Sequence, residues 1–357
     1  MPKKASKRTP KRSNKKKPYS TGSSKADKQI DQLLDDWKIT GDRNYFREML
    51  TTIYKFAEDK PCPADIRLFT KTMKELRYAD SIFAEYRGIR KVSVYGSARI
   101  QPGLPEYEQA QTFAKTMVRS GYMVITGGGE GIMGAAQAGA GRKRSFALNI
   151  SLPFEQSANA TIEGDSKLIN FKYFFTRKVN FVKNSDAFVL CPGGFGTMDE
   201  GFETITLMQT GKSPIVPIVL LDAPRGNYWT TFARYLREHL LGDGLVSEMD
   251  FNLFTVTDDP EVARKEIVRF YYNYHSSRFV KDTLVLRMQR EVPQGALFRL
   301  QEDFADILTT PKGMVVSRAL PDEINEPELA KLPRLCLQFD RRSYGRLRLL
   351  IDRINQF

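Results

Sequence analysis

The sequence predicts an α/β protein built on a Rossmann-like, doubly wound parallel sheet, with a helical N-terminal prelude and a small α+β C-terminal extension. Three observations predict this fold. From residue 91 onward, short and almost wholly apolar segments alternate with helical stretches, as in a parallel sheet that is covered on both faces. Apolar residues before that point recur with a helical period. Hydrophobic residues make up 41% of the 357 residues, enough for a sizeable core.

Residues 1–27 are predicted to form a disordered basic tail. Residues 1–26 contain ten Lys or Arg and no acid, so they hold ten of the thirteen net positive charges and leave the rest nearly balanced. The tail is also rich in Ser, Thr and Pro and has no apolar period, a composition typical of disorder. Two interpretations stay open: a solvated tail that aids solubility, or a segment that contacts nucleic acid nonspecifically.

Three further segments follow the tail. Residues 28–89 are predicted to be a helical prelude, residues 90–275 the Rossmann-like domain, and residues 276–357 the α+β extension. The predicted strands of the central domain are Val92–Tyr95, Met123–Thr126, Phe146–Ile150, Ala187–Leu190 and Ile215–Leu221. Further predicted elements are helices over Trp229–Leu241 and Pro260–Tyr274, and β segments over Thr283–Leu286, Met314–Ser317 and Leu335–Phe339.

Composition excludes several classes of function. No segment approaches the roughly 18 consecutive apolar residues of a membrane helix. The three cysteines and two histidines lack the spacing of a disulfide framework or a zinc site. We therefore expect a cytoplasmic protein with no metal, no cofactor and no membrane association. Its chemistry would rest on carboxylates, Arg, Lys and backbone amides.

Three predicted strands end in unusual turns. They continue into Gly96–Arg99, Thr126–Gly134 and Cys191–Thr197, and the carboxyl ends of parallel strands share one edge of the sheet. Glycine lets the backbone approach a ligand, and the free amides at a helix N-terminus attract anions. Two glycine-rich turns side by side predict a phosphate cradle, although such glycines can also serve only to make tight turns. The candidate contacts are Ser97, Gly128, Gly129, Gly193, Gly194, Gly196 and Thr197.

Two familiar nucleotide motifs are rejected. Residues 129–134 match GxGxxG, but they follow the second strand, and the next strand lacks the acidic residue that would hold an adenosine ribose. Residues 210–213 resemble the end of a Walker loop, but Thr206 stands where the first glycine is needed.

Acidic residues follow the last glycine-rich turn. Thr197 is the predicted cap of a helix that carries Asp199, Glu200 and Glu203, and the latter two share a face. Such an acid either complements the helix dipole or does chemistry. Arg177 and Lys178 are expected just before the preceding helix, where they would offset phosphate and carboxylate charge together.

These motifs resemble the Lonely Guy family, the cytokinin riboside 5′-monophosphate phosphoribohydrolases, many of which were once labelled lysine decarboxylases. The resemblance covers roughly residues 90–275 and is carried by the PGGxGTxxE motif at 192–200, the TGGG turn at 126–129 and Thr176-Arg177-Lys178. It implies that Arg177 and Glu200 are the catalytic pair. It also implies nucleotide contacts at Glu155, Lys178, residues 193–197 and Thr206, and a dimer with its active site near the subunit interface.

The resemblance also implies an activity. This would be hydrolysis of a nucleoside 5′-monophosphate to the free base and ribose 5-phosphate. The chain is similar to the longer bacterial members of the family, and Phe174-Phe175 replaces the Met and His usual in short plant members, so the preferred base stays open. One alternative is a binding module for a nucleotide or a phosphorylated pterin (the molybdenum cofactor). Another is an RNA-associated factor that acts through the tail.

Overall fold

A computed structural model describes residues 19–39, 41–151, 158–323 and 325–357. The chain divides into two compact units between Met73 and Lys74. Within the described ranges, no helix has both the length and the apolar character needed to cross a membrane. The four predicted segments are not reproduced as separate units, and the four-part organisation stays a proposal.

The first unit is helical, as the apolar period predicts. It contains α1 (Ser24–Asp36), α2 (Arg43–Glu58) and the first turns of α3 (Pro63–Ala84), which continues into the second unit. The Ser23 hydroxyl accepts a hydrogen bond from the Ala26 amide at 3.3 Å and caps α1. The predicted tail boundary at residue 27 is therefore wrong, because residues 24–27 form the first turn of α1. Residues 1–18 lie outside the described residues.

The second unit is built on a seven-stranded sheet in the order β4-β3-β2-β1-β5-β6-β7 with every pairing parallel. This confirms the predicted fold class. The strands are β1 Lys91–Tyr95, β2 Met123–Thr126, β3 Ser145–Ile150, β4 Leu168–Phe171, β5 Ala187–Leu190, β6 Ile218–Leu221 and β7 Thr255–Thr257. The prediction missed β4 and β7, the short outer strands, whose residues are only partly buried and lack a continuous apolar run.

Helices cover both faces of this sheet, so successive strand residues enter two different cores. Val94 and Val189 pack in one core, while Tyr95 and Leu190 pack in the other. The covering helices are α4 Pro105–Arg119, α5 Ile132–Ala140, α6 Phe174–Asn184, α7 Phe195–Gln209, α8 Tyr228–Tyr235 and α9 Pro260–Phe270.

Two helix predictions are wrong at their ends. The predicted helix Trp229–Leu241 begins one residue earlier, and after Tyr235 it continues as a π-helix over Leu236–Leu241. The helix predicted to reach Tyr274 stops at Phe270, because Tyr274 begins a strand.

The last eighty residues form the second sheet of the same unit. It is antiparallel, in the order β10-β11-β9-β8, with β8 Tyr274–Val280, β9 Thr283–Met288, β10 Met314–Ser317 and β11 Arg334–Leu337, together with α10 Gln294–Asp303 and α11 Tyr344–Ile354. Glu323 binds Arg287 at 2.7 Å and Arg334 at 3.2 Å, and all three side chains are buried. The prediction missed β8, whose residues are mostly polar and half-exposed.

Candidate active site

The three turns predicted to share one edge of the sheet do meet there. Their strands β2, β1 and β5 are adjacent and parallel. The backbone of Ser97, directly after β1, joins the two glycine-rich turns: its amide donates to Pro192 O at 3.1 Å, and its carbonyl accepts from the Ile132 amide at 3.0 Å. The predicted cradle is therefore a connected piece of main chain.

The turn after β5 is tightly packed on one side and open on the other. A Cβ added at Gly193 would stand 2.1 Å from the Thr197 hydroxyl oxygen, so only glycine fits there. Residues 194–196 are exposed. The predicted cap is wrong: α7 begins at Phe195 with Gly194 as its N-cap, no side chain caps it, and Thr197 lies buried in the first turn.

The carbonyl groups of the turn after β2 accept hydrogen bonds from a buried residue that the sequence analysis did not identify. Asn159, which is 3% exposed, donates from its side-chain amide to Gly128 O at 3.0 Å and to Gly129 O at 2.9 Å. Gly128 and Gly131 both have positive φ, which favours glycine. Asn159 stands apart from every recognisable motif, so nothing in the sequence pattern could have identified it.

Arg177 and Glu200 meet at this edge of the sheet. Arg177 lies in the first turn of α6 rather than before that helix, which corrects the predicted position of Arg177 and Lys178. Its guanidinium donates to Glu200 Oε1 at 3.1 Å, and both side chains are largely buried. The Arg177 Nε is buried and has no hydrogen-bond partner among the described residues. A buried donor without a partner is costly, and this one lies beside the predicted catalytic acid.

Glu200 is not a partner of the helix dipole. It is the sixth residue of α7, whose first turn contains no acid, and dipole effects fade beyond the first turn. Burial raises the pKa of its carboxyl, Arg177 and Lys178 lower it, and the net direction is upward. A buried acid whose pKa is raised in this way is the kind of group that enzymes use for chemistry.

Lys178 pairs with the other two acids of α7, Asp199 and Glu203. Its ammonium lies 2.8 Å from Asp199 Oδ2 and 3.0 Å from Glu203 Oε2. Burial lowers the pKa of Lys178, but the hydrogen bonds to these carboxylates outweigh burial and raise it overall. Glu203 is thus committed to Lys178, while Glu200 binds Arg177.

One predicted contact, Thr206, is not brought to the turn. Thr206 is exposed on α7, ten residues beyond Gly196 and therefore roughly 15 Å along the helix at 1.5 Å per residue. Glu155 lies outside the described residues. The remaining predicted residues all lie on the two glycine-rich turns, on the turn after β1, or on α6 and α7.

Glu75 braces the start of α6 and was also missed. Its carboxylate accepts from the Lys172 amide at 2.8 Å and from the Thr176 hydroxyl at 2.6 Å, directly before Arg177. A signal for it exists in the sequence. Glu75 precedes the buried Ala79 and Phe83 at intervals of four residues, so a carboxylate stands in the apolar stripe of α3.

Comparison with known proteins supports the same region. Residues 133–267 match the family model described as "Possible lysine decarboxylase". A rice (Oryza sativa subsp. japonica) protein described as a probable cytokinin riboside 5′-monophosphate phosphoribohydrolase, LOG4, is 25% identical over 177 residues, which cover 48% of this chain and 73% of the rice protein. Over about half of its length the chain is similar to a Lonely Guy protein. The recognition made from the 192–200 motif is thereby confirmed.

Two solved structures are similar to about half of this chain. One is the X-ray structure of a structural genomics target, TM1055, with 22% identity over 51% of this chain and 99% of that chain, at a TM-score of 0.36. The other is the molybdenum cofactor binding protein of Rippkaea orientalis, with 22% identity over 49% of this chain and 91% of that chain, at a TM-score of 0.31.

Among the described residues, no group of three or more His, Cys, Asp or Glu side chains is arranged to hold a metal ion.

Proposed function

We propose that this protein hydrolyses the N-glycosidic bond of a nucleoside 5′-monophosphate, releasing the free base and ribose 5-phosphate. The observation that carries the proposal is the buried Arg177–Glu200 pair, 3.1 Å apart, beside two glycine-rich turns. A phosphate-sized anion suits the turns, and a carboxylate suits the cationic ribose that forms as the glycosidic bond breaks.

The amides of the turn after β5 would bind the phosphate. Gly194, Phe195 and Gly196 are exposed, and their amides donate to no residue that the structure describes. A helix N-terminus carries about half a positive charge, and α7 begins at these residues. Binding energy from this turn is available only to a substrate that carries a phosphate.

Glu200 would act on the ribose and on water. As the bond between C1′ and the base nitrogen breaks, its carboxylate stabilises the oxocarbenium-like ribose and accepts a proton from the water whose oxygen bonds to C1′. The departing base takes a proton from solvent. A guanidinium is a poor proton donor, so the role of Arg177 is to orient Glu200 and to balance charge as the base leaves.

A dimer forms part of this proposal. Five apolar side chains on α6 and on the first half of α7 are between 42% and 95% exposed beside the site: Phe174, Phe175, Val179, Phe195 and Phe202. Exposed apolar patches of this kind mark protein interfaces. Light scattering after size-exclusion chromatography tests the assembly, and Phe202→Glu should shift a dimer toward the monomer.

Incubation with a panel of nucleoside monophosphates tests the activity, with free base followed by chromatography. Release of base from at least one monophosphate, lost in Glu200→Gln, supports the proposal. Tight binding of a monophosphate without release of base from any of them would instead favour a binding module for a nucleotide or a phosphorylated pterin.

A further inference from the structure

Three successive carbonyl groups in the turn after β5, those of Pro192, Gly193 and Gly194, accept hydrogen bonds from protein donors. Pro192 O accepts from the Ser97 amide at 3.1 Å, and Gly194 O accepts from the amides of Thr197 and Met198 at 3.0 and 3.1 Å. Gly193 O accepts from the Tyr228 hydroxyl at 2.5 Å. Of these donors, only Tyr228 is a side chain.

Occupied carbonyls fix where the amides point. In a trans peptide the C=O and the following N–H point in opposite directions, and the described residues contain no cis peptide. Each carbonyl held against the protein therefore turns the next amide, on Gly193, Gly194 or Phe195, away from that partner. None of these amides donates to a described residue. The turn thus presents three neighbouring N–H groups, which is what a bound phosphate requires.

Tyr228 is itself held in place. It begins α8 after a loop whose two ends are tied to the Asp222 carboxylate, through the Ala223 amide at 2.9 Å and the Trp229 amide at 3.0 Å. Its ring packs edge-on against the buried Trp229 ring, with the centroids 4.8 Å apart. The phenol is therefore presented to Gly193 by a fixed scaffold.

We propose that Tyr228 is a positioning residue for phosphate binding: its hydroxyl holds the Gly193–Gly194 peptide so that the Gly194 amide faces the anion. The inference rests on the proposed function, whose substrate carries that phosphate. Without the hydroxyl, the Gly193 carbonyl loses its partner, and this peptide is free to rotate its oxygen toward the anion. Tyr228 touches neither the base nor the ribose in this scheme, so it affects binding rather than bond breaking.

Tyr228→Phe tests this in the full-length chain, because it removes one hydroxyl and keeps the ring packed on Trp229. Calorimetry with ribose 5-phosphate and with inorganic phosphate should show binding about five- to tenfold weaker than in the unmodified protein, the effect of losing one hydrogen bond. The KM for AMP should rise by the same factor with kcat within about twofold, since binding common to ground and transition state is lost. Hydrolysis of adenosine should be unchanged.

The matched control is Tyr235→Phe, an exposed tyrosine of the same helix, which should leave phosphate affinity unchanged. If Tyr228→Phe lowers the melting temperature but binds ribose 5-phosphate as tightly as the unmodified protein, Tyr228 is only a structural residue and the inference is wrong while the proposed function stands. If the unmodified protein binds phosphate but cleaves no monophosphate, the proposed function fails and the affinity shift still decides the role of Tyr228. If the unmodified protein binds neither ribose 5-phosphate nor inorganic phosphate, both proposals are wrong.

Discussion

Replacing Glu200 by Gln tests whether the Glu200 carboxylate has a catalytic role or only a structural one. The substitution keeps the size of the side chain and an oxygen that can accept from Arg177, but it removes the negative charge. If that charge stabilises the ribose only as the bond breaks, kcat falls and KM changes little.

The size of the effect follows from the burial of the site. Glu200 is 5% exposed, so water cannot replace its charge, and losses of this kind are commonly about 100-fold or more. A 100-fold loss corresponds to about 2.7 kcal/mol at about 1.36 kcal/mol per factor of ten. The melting temperature, by contrast, should not fall. The pKa of Glu200 is raised in the folded state, mainly by burial, so its ionised form destabilises the fold as the pH rises above its unfolded pKa.

At pH 7 the Gln variant should therefore melt at the same temperature or higher. The assay follows release of base from the best monophosphate, with melting measured on the same samples. Glu108→Gln is the control, since Glu108 is an exposed acid near the start of α4 and its loss should leave kcat unchanged. A Glu200→Gln variant with normal kcat and a lower melting temperature would refute the mechanism and leave Glu200 a structural residue.

Nucleoside 5′-monophosphates should be cleaved far faster than the matching nucleosides, and equal rates on AMP and adenosine would contradict the phosphate cradle. The kcat/KM should fall as the pH drops through an apparent pKa above the ordinary value of a glutamate carboxyl, because burial raises the pKa of Glu200; an acid limb that persists in Glu200→Gln would assign it to another group. Gly131→Ala should lower the free energy of unfolding, measured by chemical denaturation, by at least about 2 kcal/mol, since its Cβ would lie 2.4 Å from Ser97 O. Gly141→Ala, where φ is also positive but no atom lies within 4 Å, should cost less. Deleting residues 1–18 should leave turnover and melting temperature nearly unchanged, whereas deleting residues 1–26 should lower the melting temperature, because it removes the Ser23 cap and the buried Ala26.

The sequence was sufficient for the parts of the fold that depend on local pattern. Continuous apolar segments identified all five strands from β1 to β6 other than β4, and the helical period identified the first unit. Strands β4 and β8 were missed because their stability comes from neighbouring strands rather than from their own composition. Tertiary context of this kind overrides single-segment propensity.

The candidate site also contains some residues that the sequence predicts and others that it does not. Glycine-rich turns and the acids of α7 follow one another along the chain, so their spacing is legible in the sequence. Asn159 and Tyr228 act from distant segments on the carbonyl groups of those turns, and no short motif records such contacts. The misplaced cap at Thr197 shows a further limit: Thr has the chemistry of a cap, but the glycines allow α7 to begin three residues earlier, with Gly194 as its N-cap.

The main chain of Ser97 links the two glycine-rich turns, and its side chain takes no part in that link. Ser97 joins the two glycine-rich turns through its own amide and carbonyl, groups that every residue except proline supplies in full. Among the described residues, its hydroxyl accepts only from the nearby Arg99 amide, at 3.1 Å. Natural variation or directed evolution can therefore change the side chain at this position, beside the two glycine-rich turns, while the main-chain link between them stays the same. A saturation library at position 97 is thus a direct route to altered substrate preference, and proline is the one substitution that the bridge forbids.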